Sequence, residues 1–268
     1  MTNPLGQSIE SNWQTAPEKL SLHSDEVHVW RAELDVGTVA LQLLRESLSA
    51  NEQARAERFY SPLDRARYVA SRGILRALLA RYLGIPAGEL RLCCGALGKP
   101  ALALGGRDQD LRFNLSHSQG LALLAFALRR EVGVDLEYVR PSLKDDRLAE
   151  RFFSPREVAA LRALPESFRT EAFFHCWTRK EAYIKARAGG LSIGLRSFTI
   201  SLAPGQLANL LITSDVESEA GRWSLRALTP GGGYVAAIAA EGTGWSPTLW
   251  QWVPSPGQHT HPPAADLL

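Results

Sequence analysis

Three acids in this chain have types and spacings suited to chemistry. Asp135 and Glu137 lie two apart in Gly133-Val134-Asp135-Leu136-Glu137, a segment that reads as a strand, so both carboxylates project from one face. Glu181 belongs to Trp177-Thr178-Arg179-Lys180-Glu181-Ala182, a separate helical segment that a fold could lay alongside. Oxygen donors converging from two elements suit a hard divalent cation, and Mg²⁺ held this way usually shares its shell with substrate phosphates. The pattern points to phosphoryl chemistry. The bland alternative for Asp135 and Glu137 is an exposed edge-strand pair facing water. Two like charges this close repel by roughly 1 kcal/mol even in water, and burial would raise one pKa; a metal relieves both.

Other residue types could serve the same chemistry. Trp177, Glu181 and Lys185 are four apart and share a helix face. Taken alone, Glu181 and Lys185 are an ordinary i,i+4 ion pair worth about 0.3–0.5 kcal/mol. His117 follows a strand and begins a turn with Ser116, where a lone histidine is more often a hydrogen-bonded turn residue than a catalyst. Lys99 stands in a Gly98-Lys99-Pro100 turn. Arg55, Arg58, Arg65, Arg67, Arg72 and Arg76 crowd one stretch, as an anion-binding surface or a solvated helix face.

The elements that must position these residues are legible in outline. Residues 1–24 are polar, without a sustained period, and read as an N-terminal tail. Val27 to Leu34 reads as a strand. Leu41, Leu44 and Leu48 mark one helix, Ser49 caps the next, and Ala70 to Tyr82 mark a third, closed by Gly84 and stopped by Pro86. Strands follow at Leu90 to Leu92 and Leu111 to Ser116. Ser118-Gln119-Gly120 then turns the chain into the apolar run Leu121 to Leu128, a strand buried on both faces. After Arg129-Arg130 the sequence repeats the order: a strand from Val132 to Val139, helices at Arg147–Phe153, Pro155–Leu164 and Glu166–Ala188, the last ended by Gly189-Gly190, then strands at Ser197–Leu202, Trp223–Leu228 and Tyr234–Ala240. The expected fold class is α+β: a pair of similar halves, residues 25–130 and 131–241, each a small mostly antiparallel sheet packed with helices. Residues 242–268, rich in tryptophan and proline, read as an irregular C-terminal tail whose tryptophans pack onto the body.

Composition narrows the class. A net charge of +2 over 268 residues is too small to argue for nucleic acid. No apolar run approaches the length of a membrane span, and the polar first twenty residues do not read as a signal peptide. Cys93, Cys94 and Cys176 offer no disulfide framework and no zinc-site spacing, which fits a reducing cytoplasm.

Five segments, in order, resemble the Sfp-type 4′-phosphopantetheinyl transferases: Gly98-Lys99-Pro100, Phe113-Asn114-Leu115-Ser116-His117-Ser118, Gly133 to Glu137, Arg151-Phe152-Phe153-Ser154-Pro155-Arg156-Glu157, and Trp177 to Lys185. Gly190-Leu191-Ser192 also fits. Any one alone is weak; the ordered set, spanning roughly Val27 to Ala240, is specific. The resemblance implies a pseudo-twofold pair of α+β halves with the active site in the cleft between them. It also implies transfer of 4′-phosphopantetheine from coenzyme A to a serine of an acyl or peptidyl carrier protein, releasing adenosine 3′,5′-bisphosphate.

By the same resemblance, Asp135, Glu137 and Glu181 bind Mg²⁺ with the coenzyme A pyrophosphate, and Glu181 is either a metal ligand or the base for the serine proton. Arg67, Arg72, Lys99, Ser116, His117, Asp135, Lys180 and Lys185 are implied contacts to coenzyme A, with Glu181, Asp135 and Lys185 the catalytic set. The Trp177…Lys180-Glu181-Ala182 form resembles a subgroup with broad carrier tolerance that often serves polyketide or peptide synthetases. Leu136 stands where isoleucine is more usual in the family. A cytoplasmic monomer is expected, since one chain supplies both halves of the cleft. The rivals are a non-catalytic module that binds carrier proteins or coenzyme A, and a metal-dependent nucleotide pyrophosphohydrolase. Both leave the ordered segments unexplained.

Overall fold

A computed structural model of the protein describes residues 12–94, 99–103, 110–140, 146–187, 194–202, 210–213 and 221–254. Up to residue 128 it contains β1 (Gln14–Thr15), β2 (Glu26–Glu33), α1 (Thr38–Glu46), α2 (Ala50–Ala56), α3 (Pro62–Leu83), β3 (Leu92–Cys94), β4 (Pro100–Leu102), β5 (Leu111–Ser118) and β6 (Leu121–Leu128). Then follow β7 (Val132–Tyr138), α4 (Asp146–Phe152), α5 (Pro155–Ala163), α6 (Glu166–Ala186), β8 (Phe198–Ile200), β9 (Leu210–Thr213), β10 (Trp223–Gly231), β11 (Tyr234–Glu241) and β12 (Ser246–Gln251). The α+β class expected from the sequence holds.

Local signals set the helix ends. The Ser49 side chain accepts from the Glu52 amide while the Glu52 carboxylate answers the Ser49 amide, a capping box that starts α2. Ser61 caps α3 with Pro62 in its first turn, and Gly84 closes it at φ +68°, a conformation open to glycine at little cost. A second capping box, Ser154 with Glu157, starts α5.

The halves repeat one topology. In each, the opening strand pairs antiparallel with the last strand of the later hairpin, giving orders β2-β6-β5 and β7-β11-β10. Alternation then builds layers. On β6, Ala122, Leu124 and Phe126 pack toward α3, while Leu121, Leu123 and Ala125 face the second sheet. On β11, Ala236 and Ile238 face the first sheet, while Ala237 and Ala239 pack under α6. The result is helix, sheet, sheet, helix, with apolar cores between successive layers.

Four strands went unread in the sequence, among them β4, which pairs with β3 where a Gly98-Lys99-Pro100 turn was expected. The segment after Gly242 was expected to be irregular, yet β12 joins the first sheet parallel to β2, placing Trp250 opposite Trp30. β1, within the expected polar tail, extends that sheet by pairing with β12. β9 pairs with β8. Trp245 is buried in the inter-sheet core, in line with tryptophans packing onto the body. Gly98, Gly189-Gly190 and residues 190–192 lie outside the described residues.

Candidate active site

Gly133 sets how closely α6 approaches β7. A Cβ there would stand 2.2 Å from the Ala182 carbonyl oxygen and 2.3 Å from the Ala186 nitrogen, so only hydrogen fits between strand and helix backbone. Residues 133, 135 and 137 share the face that α6 covers, which brings Lys185 onto Asp135 and sets Glu181 within the fields of both strand acids.

Asp135 is 4% exposed. Its Oδ1 accepts from Lys185 Nζ at 2.7 Å and from Ser116 Oγ at 2.9 Å, and Lys185 also donates to Ser116 Oγ at 3.0 Å. Asp135 Oδ2 is buried without a hydrogen-bond partner. Leaving a buried acceptor empty costs about 1–3 kcal/mol, so the site is built to receive something there.

The acids act on one another through their fields. Burial, then the Asp135 charge, pushes the Glu137 carboxyl above the ordinary glutamate range, against the Ser118 hydroxyl, Arg140 and Lys185. Burial and then Asp135 likewise raise Glu181, with Glu137 adding to the rise and Lys185 opposing it. As the side chains stand, no three His, Cys, Asp or Glu among the described residues are gathered tightly enough to hold a metal ion. The trio therefore forms a field of negative charge rather than a finished coordination shell. Its donor chemistry, oxygen-only with one empty buried acceptor, fits Mg²⁺.

The opposite wall is β5. At the seam β5 and β7 run side by side, joined through side chains. Arg112 donates to Glu131 at 2.8 Å, the Val134 amide to Asn114 Oδ1 at 2.9 Å, Ser116 to Asp135, and Ser118 Oγ to Glu137 Oε2 at 3.1 Å. The Arg112, Ser116 and Ser118 contacts share an offset of 19 residues, so the strands run parallel in register.

Other expected residues divide. His117 projects from the opposite face of β5 to Ser116, at the strand end. Loss of solvent around its ring, then the Lys185 ammonium, holds its pKa below the ordinary histidine value. Lys99 donates to Glu131 Oε2 at 3.3 Å and to the Val132 carbonyl at 3.1 Å, on the strand that carries the acids. Arg67 grips Asp35 through two bonds of 2.7 and 2.8 Å, beside the Gly120 turn and within the field of Tyr234.

Two expected contacts to coenzyme A do not fit their placement. Lys180 is fully buried and donates to both Glu157 oxygens, at 2.7 and 2.8 Å, and to the Phe198 carbonyl at 2.8 Å. Its position on the helix turns it into the core, so it is a structural cation. Arg72 is tied to Glu52, which also binds Arg76; that cluster locks α2 to α3. Residues that went unassigned in the sequence include Asn114, Ser118 and Glu131 along the seam, and Glu157 as partner of Lys180. The alternation Asn114-x-Ser116-x-Ser118 against Asp135-x-Glu137 was the available signal.

Residues 131–239 match the family described as the 4′-phosphopantetheinyl transferase superfamily, and residues 30–128 match the 4′-phosphopantetheinyl transferase N-terminal family. The chain is 44% identical over 244 residues to the 4′-phosphopantetheinyl transferase HetI of Nostoc sp., covering 91% of this chain and 100% of that protein. It is 30% identical over 155 residues to the 4′-phosphopantetheinyl transferase Sfp of Bacillus subtilis, covering 58% of this chain and 66% of that one.

Proposed function

The chain belongs to the 4′-phosphopantetheinyl transferase superfamily and transfers 4′-phosphopantetheine from coenzyme A to a carrier protein, and from that premise we propose how its residues divide the work. The empty, buried Oδ2 of Asp135, set among mutually repelling acids, is the observation that carries the assignment. Asp135, Glu137 and Glu181 would hold Mg²⁺, which when bound supplies positive charge against the pyrophosphate and the departing bisphosphate.

The chain's own groups do the rest. Ser116 and Lys185 fix Asp135 Oδ1, leaving Oδ2 as the open donor. The Lys185 ammonium, partly exposed, stands ready to meet a phosphate oxygen and offset its charge. His117, at the end of β5, would donate a hydrogen bond to a phosphate. Arg67 and Lys99 would extend phosphate and nucleotide recognition to either side. Glu181, the carboxylate that α6 brings to the site, accepts the proton of the carrier serine as well as serving the cation. The serine oxygen bonds to the phosphorus bearing the pantetheine arm. The bond from that phosphorus to the bridging oxygen breaks, and adenosine 3′,5′-bisphosphate leaves. No covalent enzyme intermediate is required; positioning and charge stabilisation supply the acceleration.

A monomer in the cytoplasm completes the proposal: the β5 and β7 walls come from one chain, and no helix among the described residues is long and apolar enough to cross a membrane. Intact-mass analysis of apo carrier proteins incubated with coenzyme A, Mg²⁺ and this protein tests it. The expected result is a gain of one phosphopantetheine, lost in Asp135→Ala and Glu181→Gln. No gain on any of several carriers overturns it.

A further inference from the structure

We propose that Ser118 is a positioning residue that sets the Glu137 carboxylate for cation capture from across the seam between the halves. The inference rests on the transferase reading above. Ser118 ends β5 in the N-terminal half, and Glu137 nears the end of β7 in the C-terminal half. The Ser118 hydroxyl accepts the Tyr138 backbone N–H at 3.1 Å and donates to Glu137 Oε2 at 3.1 Å. With the amide occupying a lone pair, the single hydroxyl proton is directed at the carboxylate.

The pairing is systematic. Ser116 tethers one oxygen of Asp135, and Ser118, two residues on, tethers one oxygen of Glu137, two residues on. Each strand repeats every two residues, so two serines on one edge address two acids on the other at the same spacing. Asp135 has Lys185 as well, whereas Glu137 among the described residues has Ser118 as its close donor. Removing the hydroxyl frees the carboxylate to turn toward solvent, away from Asp135. The charge stays; its position is lost.

Hydrogen-bonded partners of metal ligands change affinity or activity by about 10–100-fold when removed. The test compares full-length wild type, Ser118→Ala and Ser118→Thr in two assays. One is Mn²⁺ binding without coenzyme A, followed by the paramagnetic resonance of the free ion. The other is carrier transfer at varied Mg²⁺. Ser118→Ala is expected to weaken Mn²⁺ binding by about tenfold or more and to raise the Mg²⁺ needed for half-maximal transfer in parallel. Its thermal midpoint without metal should stay close to wild type. Threonine keeps the hydroxyl and suits a strand, so Ser118→Thr should recover most of the loss.

Wild-type cation affinity in Ser118→Ala, with wild-type transfer, overturns the proposal and leaves the transferase reading intact. A lowered midpoint that Ser118→Thr also shows, with cation affinity unchanged, marks a structural role and overturns it too. If wild type itself transfers nothing, the transferase reading falls, and this proposal falls with it.

Discussion

Replacing Lys180 by methionine separates a structural lysine from a substrate-binding one. Lys180 has 0% side-chain exposure, as does its partner Glu157. Methionine roughly keeps the shape and leaves sulfur near the Phe198 ring, over which the ammonium sits at 4.1 Å. Glu157 would then be a buried carboxylate without its counter-ion, and breaking a buried pair from one side costs about 3–5 kcal/mol. Two backbone donors remain on it, the Ser154 amide at 2.7 Å and the Ile200 amide at 2.8 Å. They place the loss near the lower end, about 3 kcal/mol. For domains of roughly this size each kcal/mol moves the thermal midpoint by about 2–4 °C, so the expected drop is about 6–12 °C. Adding Glu157→Gln removes the unpaired charge, so the double variant should be more stable than additivity of the single variants predicts. Thermal melts check the first part. The KM for coenzyme A, measured well below the midpoint, checks the second and should match wild type. An unchanged midpoint with a several-fold higher KM would refute this reasoning and return Lys180 to the substrate.

Burial, and then the Asp135 charge, raise the pKa values of Glu137 and Glu181 above 4.5, so the folded protein favours their protonated forms. The stability this contributes is present below pH 4.5 and is lost as pH rises through the raised values; in chelator, Glu181→Gln should flatten that fall and melt above wild type at neutral pH while losing transfer. Gly133→Ala puts a Cβ against the α6 backbone at two points. It should cost about 1–3 kcal/mol or more by melting and weaken transfer, because α6 must lift Glu181 away from Asp135. Truncation after Gly244 deletes β12 and leaves β2 an unpaired outer edge. Loss of a cooperative melt, or a strongly lowered midpoint, is expected by circular dichroism.

Much of the scaffold was legible because its signals are local. Ser61-Pro62 and Gly84 bracket α3, and the Leu121 to Leu128 run after the Ser118-Gln119-Gly120 turn reads as a strand covered on both faces, as it is. The duplicated order of elements foretold the repeated strand topology. β12 was not legible. It is short, holds a proline, and pairs in parallel with a strand some 220 residues away, as Trp30 against Trp250 shows. Pairing that remote leaves no periodic trace in its own residues.

The candidate site divides the same way. Residue type and spacing marked Asp135, Glu137, Glu181 and Lys185, since two-residue and four-residue periods put each pair on one face of its element. Which face meets which depends on packing. Lys180 and Lys185 lie five residues apart, about 140° around the helix, so only one of them can reach the strand acids. The Gly133 contact with Ala182 and Ala186 presents Lys185 to Asp135 and sends Lys180 to Glu157. The serine tethers likewise exist only because β5 lies beside β7 at a constant offset. Chemistry was written in the order of residues; the partners were chosen by backbones that pack where a single hydrogen fits.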